Sequence, residues 1–535
     1  MVVWHIKYYL DIVPSGGYLF VLGGMRMVSF GERASHWLGV LIKAFLAFLL
    51  IFFVIRNISM YGLAVRGDAG SGWLFPLIGV YAALIAGTAA VFFGAVKIKR
   101  EWLCLLVVFA FALALRLTIF IIFKQKPIND FLNYYTFGLN IKNGDLHTTA
   151  MMIGDYQMPK MGGLALFNTA LCFIFGDTSR GQQLAHVVIS ALICPAICYS
   201  FRRLDKRIAL LAALLYAIYP SSLISAQFST NHHGAALFFI IAVGFFIEAL
   251  SENGLKRKLL FAVVSAAFLV VSDFIHSSSI IIIIAMAVVM LFSVLRNKKL
   301  RLKNLCAAAL LIAMFFSLGA LGTQILYRAH VIYDTRSITP LFKVLMGFNE
   351  YYRGAYSDDY NYVKGIPFDD QNSVCLHMLK DRLNKLSPTG ILGLFAEKTD
   401  VAWFGNDLYF YFFIEDELDI FATERQTRLE AEELTFMARR IEFTDGMQAV
   451  DNLFLLAVYL LSAAGMIIRI KRKENEAFIL SALVPLGWML FIMISEVQSR
   501  YRFPAIPFYM VLAATGVFEL GGLIARRKHQ DIETA

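Results

Sequence analysis

Long runs of about twenty apolar residues, parted by short clusters of Lys and Arg, constrain this chain more than any other feature. A helix of that length crosses the roughly 30 Å hydrocarbon core of a bilayer. Strands of a membrane barrel would alternate apolar and polar residues, and these runs do not. Only 16% of the residues are charged, against about 25% in an ordinary soluble domain. Mean hydropathy is +0.64. A soluble enzyme and a disordered chain are both excluded. The expected fold class is an all-α polytopic membrane protein with about twelve spans. They are placed at 37–56, 73–95, 102–123, 183–201, 207–226, 233–250, 258–272, 275–295, 304–325, 451–469, 477–495 and 504–525.

Charge sets the expected orientation. The net +10 comes from short clusters such as Arg202-Arg203 with Lys206-Arg207, and Arg296 through Lys303. Such clusters belong to cytoplasmic loops, not to a nucleic-acid interface. With the N-terminus inside, every inner loop is basic and both termini are cytoplasmic. Residues 163–175 are apolar but short, and counting them as a span would reverse every later loop. They are expected to lie on the outer surface as an interfacial or re-entrant helix. The six cysteines form no C-x-x-C pair and no metal-ligand spacing. No removable signal peptide is expected.

Four regions follow: 1–101 with two N-terminal spans; 102–326, a transmembrane module with a first outer loop at 124–182; 327–450, a large outer region; and 451–535, the last three spans and tail. The 327–450 region has more Asp and Glu than Lys and Arg. A connection this long usually carries function or its own fold. An acidic amphipathic stretch at 424–443 leads into the tenth span.

Five features on the expected outer face could carry chemistry. Asp130 follows Pro127 just past the third span, with Tyr134 one helical turn on. A carboxylate there suits a general base acting on a lipid-borne substrate, though an N-cap Asp explains it too. Lys160 and Arg180 flank the short apolar helix and could hold phosphate oxygens or snorkel to the surface. His232 and His233 stand between spans five and six, and Asp273 and His276 between seven and eight. Arg500 and Arg502, in SRYRFPAIP, break the inner bias of positive charge, and two arginines beside a span entry suit a phosphate or pyrophosphate. No nucleotide-binding loop, dinucleotide fingerprint, zinc-protease or serine-hydrolase motif is visible.

The order of these motifs resembles a known superfamily. P-x-x-D-x-x-x-Y stands about fifteen residues before G-D, followed by a Pro-containing helix ending in F-G. Then come R-R-L-D-K-R, LLAALLYAIYPSSLISAQFS and S-R-Y-R-F-P-A-I-P. From Leu103 to Ile524 the chain resembles the GT-C glycosyltransferases, in particular the branch of protein O-mannosyltransferases and the lipid A aminoarabinose transferase. The resemblance implies an inverting sugar transferase that draws on a polyprenyl-phosphate-linked sugar donor on the extracytoplasmic face. Asp130 would be the base, and Arg500 and Arg502 would face the carrier phosphate. Three positions depart from the family pattern. Phe131 stands where many relatives have a second acid, Gln157-Met158 stand where the aminoarabinose branch has Glu-Lys, and His232 or His233 stands near a family acid. No cofactor is expected, and a divalent cation is left open. The acceptor is unspecified: protein, lipid or cell-envelope glycan. Tyr351, Tyr352, Tyr356, Trp403, Tyr409 and Tyr411 could stack on sugar rings or form a small core. The rival readings are a secondary transporter or flippase, and a polysaccharide polymerase or ligase.

Overall fold

The computed structural model describes residues 30–67, 74–123, 127, 129–296, 299–403 and 431–534. Among the described residues all regular structure is helical. In chain order the helices are α1 (Phe30–Gly67), α2 (Leu74–Val96), α3 (Glu101–Ile122), α4 (Asn129–Lys142), α5 (Leu146–Tyr156), α6 (Met161–Phe175) and α7 (Ser179–Phe201). There follow α8 (Lys206–Ala217), α9 (Pro220–Ser225), α10 (Asn231–Ser251), α11 (Leu255–Ile275), α12 (Ser279–Arg296) and α13 (Arg301–Arg328). The chain continues through α14 (Leu341–Gly347), α15 (Asp359–Lys364), α16 (Phe368–Lys385), α17 (Pro388–Trp403), α18 (Ala431–Ile468), α19 (Glu476–Ile494), a 3-10 turn (Ser499–Ala505) and α20 (Ile506–Thr534).

Among the described residues, eleven helices are long and apolar enough to cross a membrane. The protein is a multi-pass membrane protein. The segment expected as one span over 207–226 is instead two short helices, α8 and α9. Pro220 lacks an N–H and forces Tyr219 out of the helical region, at φ −64° and ψ 120°. Other helices satisfy the backbone groups this break frees. Arg116 of α3 donates to Ala217 O (3.2 Å) and Ser190 Oγ (2.8 Å), and Asp451 Oδ1 of α18 accepts from Ser221 N and Ser221 Oγ, both at 2.9 Å. The shortest expected span, 258–272, is a full 21-residue helix. The 163–175 segment forms the 15-residue α6, too short to cross upright.

One end of the bundle collects the basic clusters. Arg202 and Arg203 pair with Glu248 there, at 2.6 and 2.9 Å, and Lys43 donates to Arg469 O (2.6 Å) and Arg472 O (2.8 Å). The opposite end, the loop end, carries α4–α6, the 276–278 turn, α14–α17 and the 3-10 turn.

Leu46, Leu50 and Phe53 of α1 are buried in the common core, where Phe53 stacks on Trp403 at 5.2 Å. The division at 450 falls inside α18, which runs unbroken from 431 to 468. Within 327–403 a small separate core does form, around Phe342, Leu345, Met346 and Val363. Residues 404–430, and with them Tyr409, Tyr411 and the start of the 424–443 stretch, lie outside the described residues.

α18 and α20 approach at Gly465 and Gly516. A Cβ on Gly516 would stand 1.9 Å from Leu461 O, so no side chain fits without parting the two helices. Gly516→Ala is therefore expected to lower stability by about 1–3 kcal/mol, read as a fall in the melting temperature of the detergent-solubilised protein.

Candidate functional site

Asp130 occupies the first turn of α4, and Arg500 the 3-10 turn just ahead of α20. They are 370 positions apart in sequence, yet Arg500 Nη2 lies 3.0 Å from Asp130 Oδ2. Asp130 keeps 38% of its side chain exposed and Arg500 13%, so the pair sits at the lip of the bundle. A relay holds Arg500 from behind: its Nε donates to Gln498 Oε1 (2.7 Å), and Gln498 Nε2 donates to Glu496 Oε1 (2.7 Å). The second oxygen of Glu496 accepts from Tyr501 OH at 3.1 Å. Glu496 is itself buried, and Lys343 Nζ stands 3.7 Å from Glu496 Oε2.

Aromatic residues line the Asp130 side. Tyr134 is buried one turn along α4, and its carbonyl accepts from Asn168 Nδ2 of α6 at 3.0 Å. Burial, with Asp130 nearby, pushes the Tyr134 phenol up, so it stays a neutral hydroxyl at pH 7. Asn133 Nδ2 donates to Tyr156 OH at 2.8 Å. His232 and His276 lie with ring centroids 4.7 Å apart. Each has Nδ1 beside a hydroxyl, Thr230 Oγ1 at 3.0 Å and Ser278 Oγ at 2.9 Å. Burial, then Lys343 and Arg500, pulls His276 down to about 3, which leaves its imidazole neutral at pH 7. Lys160, at the start of α6, pairs with Asp273 at the end of α11. Asp273 also accepts from Ser279 N at 3.3 Å, which ties the 276–278 turn to it.

The loop end thus gathers seven of the expected residues: Asp130, Tyr134, Lys160, His232, Asp273, His276 and Arg500. Three others face elsewhere. Arg502 is turned into the bundle, 1% exposed, where Nη2 lies 3.3 Å from Asp451 Oδ2 and Nη1 donates to Ala402 O at 3.2 Å. At about 120° per residue, positions two apart in a 3-10 turn still point about 120° apart, so Arg502 faces the interior while Arg500 faces the lip. Arg180 caps the end of α3, donating to Phe120 O (2.8 Å) and Phe123 O (3.3 Å) while stacking 3.8 Å over the Phe120 ring. His233 lies edge-on to Phe503 at 4.8 Å, within the bundle. Of the aromatic candidates, Tyr351, Tyr352 and Tyr356 are exposed, and Trp403 is wholly buried against Phe53, Tyr459 and Tyr509. Among the described residues no three His, Cys, Asp or Glu side chains group closely enough to hold a metal ion.

The residues that sequence reasoning passed over are those that position the site. Glu496 and Gln498 lie just before the arginine motif but carry no pattern of their own. Lys398 of α17 is fully buried and donates to Gly347 O (3.0 Å), Met493 O (2.7 Å) and Ser495 O (2.6 Å). Its three protons match three carbonyls, and they fasten α14 and α17 to the loop end of α19. Glu496 N donates to Lys343 O at 2.7 Å and Val497 N to Gly354 O at 2.8 Å, completing the strap. At Gly347 a Cβ would meet the Ser495 carbonyl carbon at 2.5 Å, so only glycine permits this approach. Lys398→Met strands three carbonyls, those of Gly347 and Ser495 in buried contacts, at about 1–3 kcal/mol for each buried group left without a partner. The expected result is faster tryptic cleavage within 327–403 while the transmembrane core stays protected, followed on gels against wild type.

A search of curated proteins finds no match. Residues 185–519, well over half of the chain, match a family of integral membrane proteins, and the match takes in Arg500, Arg502 and Asp451 while beginning after Asp130. The chain belongs to the family described as conserved hypothetical integral membrane protein.

Proposed function

We propose that this protein is a membrane sugar transferase of the GT-C type. It moves a sugar from a polyprenyl-phosphate carrier to an acceptor hydroxyl at the loop end, which faces the extracytoplasmic side. Asp130 takes the hydroxyl proton, the acceptor oxygen attacks the anomeric carbon, and the bond to the phosphate oxygen breaks on the opposite face. One displacement inverts the anomeric centre. The leaving group is already a phosphate, so charge stabilisation by Arg500 replaces acid assistance. The observation that carries the reading is the meeting of Asp130 and Arg500, the base and the phosphate partner that the family resemblance names. In an in-line displacement the base and the leaving phosphate flank the sugar. The ion pair therefore opens when the donor enters between them.

A transporter reading draws on one specific observation, the broken α8–α9 crossing with Arg116, Asp451 and Arg502 inside the bundle. Transporters build midplane sites on such breaks. Here these charges are spent on the freed backbone groups of the break and on one another. Sealed vesicles supplied with sugar-labelled polyprenyl-phosphate sugars separate the readings. Transfer yields label in a new covalent product, and transport yields unchanged label in the other compartment. A product one sugar larger than the acceptor marks a monosaccharide transferase, and a polymer or block transfer marks a polymerase or ligase.

A further inference from the structure

Three of the cation–carboxylate pairs at the loop end involve residues of the candidate site: Arg500 with Asp130, Lys160 with Asp273, and Lys343 with Glu496. They are not equally committed. Asp273 holds both Lys160 and a backbone amide. Glu496 has a hydrogen-bond donor on each oxygen without Lys343, namely Gln498 Nε2 and Tyr501 OH. Lys343, at 3.7 Å, is beyond hydrogen-bond range of that carboxylate. Its side chain is 36% exposed, and its ammonium stands 5.0 Å over the ring of Tyr501, next in sequence to Arg500. The backbone bond from Glu496 N to Lys343 O fixes α14 beside the 3-10 turn whatever the side chain does. Arg500 is tied through Gln498 to one oxygen of Glu496 while Lys343 stands 3.7 Å from the other, so the two cations flank one carboxylate from two elements.

We infer that Lys343 is the second phosphate-binding cation of this site, acting with Arg500, and that together they prefer a doubly charged phosphomonoester to a singly charged phosphodiester. The inference rests on the transferase reading for its chemical sense. When the bond from the anomeric carbon to the phosphate oxygen breaks, its electron pair stays on that oxygen. The carrier changes from a diester with one negative charge to a monoester with nearly two at pH 7, its second pKa being about 6. The acceptor proton goes to Asp130, so charge is conserved. One cation answers the charge that the donor brings in, and the second answers the charge that develops on departure. An interaction that strengthens toward the transition state speeds the chemical step rather than donor binding.

The test measures binding of a short-chain polyprenyl phosphate and of its methyl phosphodiester to the purified full-length protein in nanodiscs. Wild type is compared with Lys343→Met, Lys343→Arg and Arg500→Met. Wild type should bind the monoester more tightly. Lys343→Met should lose about tenfold on the monoester, the worth of one charge-assisted contact, and far less on the diester. Lys343→Arg should retain the preference. In turnover, Lys343→Met should lower kcat with little change in donor KM. Equal loss on both lipids, or no loss, overturns the role of Lys343. If Lys343→Met shows the selective loss but wild type transfers no sugar from any donor, the transferase reading falls and the phosphate site stands. If sugar transfer proceeds and the preference is unchanged in Lys343→Met, only the inference falls. Failure of wild type to bind either lipid overturns both.

Discussion

Asp130→Asn is expected to lower sugar transfer by about 10²–10⁴-fold, the usual contribution of a general base, while the protein still inserts, purifies and melts close to wild type. Asparagine keeps the shape of the side chain and its reach to Arg500 but cannot take up the acceptor proton. The structural cost is small because the carboxylate is 38% exposed and its ion pair lies at the rim of the bundle. Pairs of that kind are worth at most about 1 kcal/mol. Turnover and melting temperature measured on the same preparation check both halves. A fall in activity matched by a fall in melting temperature would point to damage rather than chemistry.

The second large effect separates two arginines that look equivalent in sequence. Arg502→Met removes the guanidinium that faces Asp451 in the interior, where the two side chains are 1% and 0% exposed. Removing one member of a buried pair costs about 3–5 kcal/mol, because the remaining charge keeps its desolvation penalty and loses its partner. Asp451 also anchors the start of α9 through Ser221, so the broken crossing should loosen as well. The expected outcome is poor yield and a melting temperature well below wild type. Arg500→Met should keep a near-native melting temperature and lose transfer. The double variant Asp451→Leu/Arg502→Met should recover part of the lost stability, since an apolar pair replaces a lone buried charge. Thermal melts of the four proteins in one detergent test the set.

Much of this architecture was legible because it depends on local composition. A run of twenty apolar residues has to be a helix in lipid, and alternating basic loops give the register in which the helices connect. The same local logic failed at 207–226, where apolar content hid the consequence of Pro220. Repair of that break needed Arg116 and Asp451, each more than 100 positions away from its partner across it. Asp130 and Arg500 could be singled out because each sits in a motif beside a span end. Their contact could not be read, since nothing local to either residue encodes a pairing 370 positions apart. The inward turn of Arg502 toward Asp451 could not be read either, because exposure does not follow from residue type and a 3-10 turn sends nearby residues in different directions. Lys343, Glu496 and Lys398 went unnoticed for a related reason. Each is an ordinary charged residue in the sequence, and becomes part of the site only when the 341–403 strap folds back on the end of α19.

The most direct test of the central claim is release of polyprenyl phosphate by the purified protein. Wild type and Asp130→Asn would be offered a panel of polyprenyl-phosphate sugars together with a membrane extract as acceptor source. The account predicts stoichiometric release of lipid phosphate and appearance of the sugar on an acceptor for at least one donor in wild type, with both lost in Asp130→Asn. Equal turnover in the two proteins would remove Asp130 from the chemistry. Absence of release with every donor, alongside movement of intact lipid-linked sugar across vesicles, would contradict the transferase account and favour a transporter.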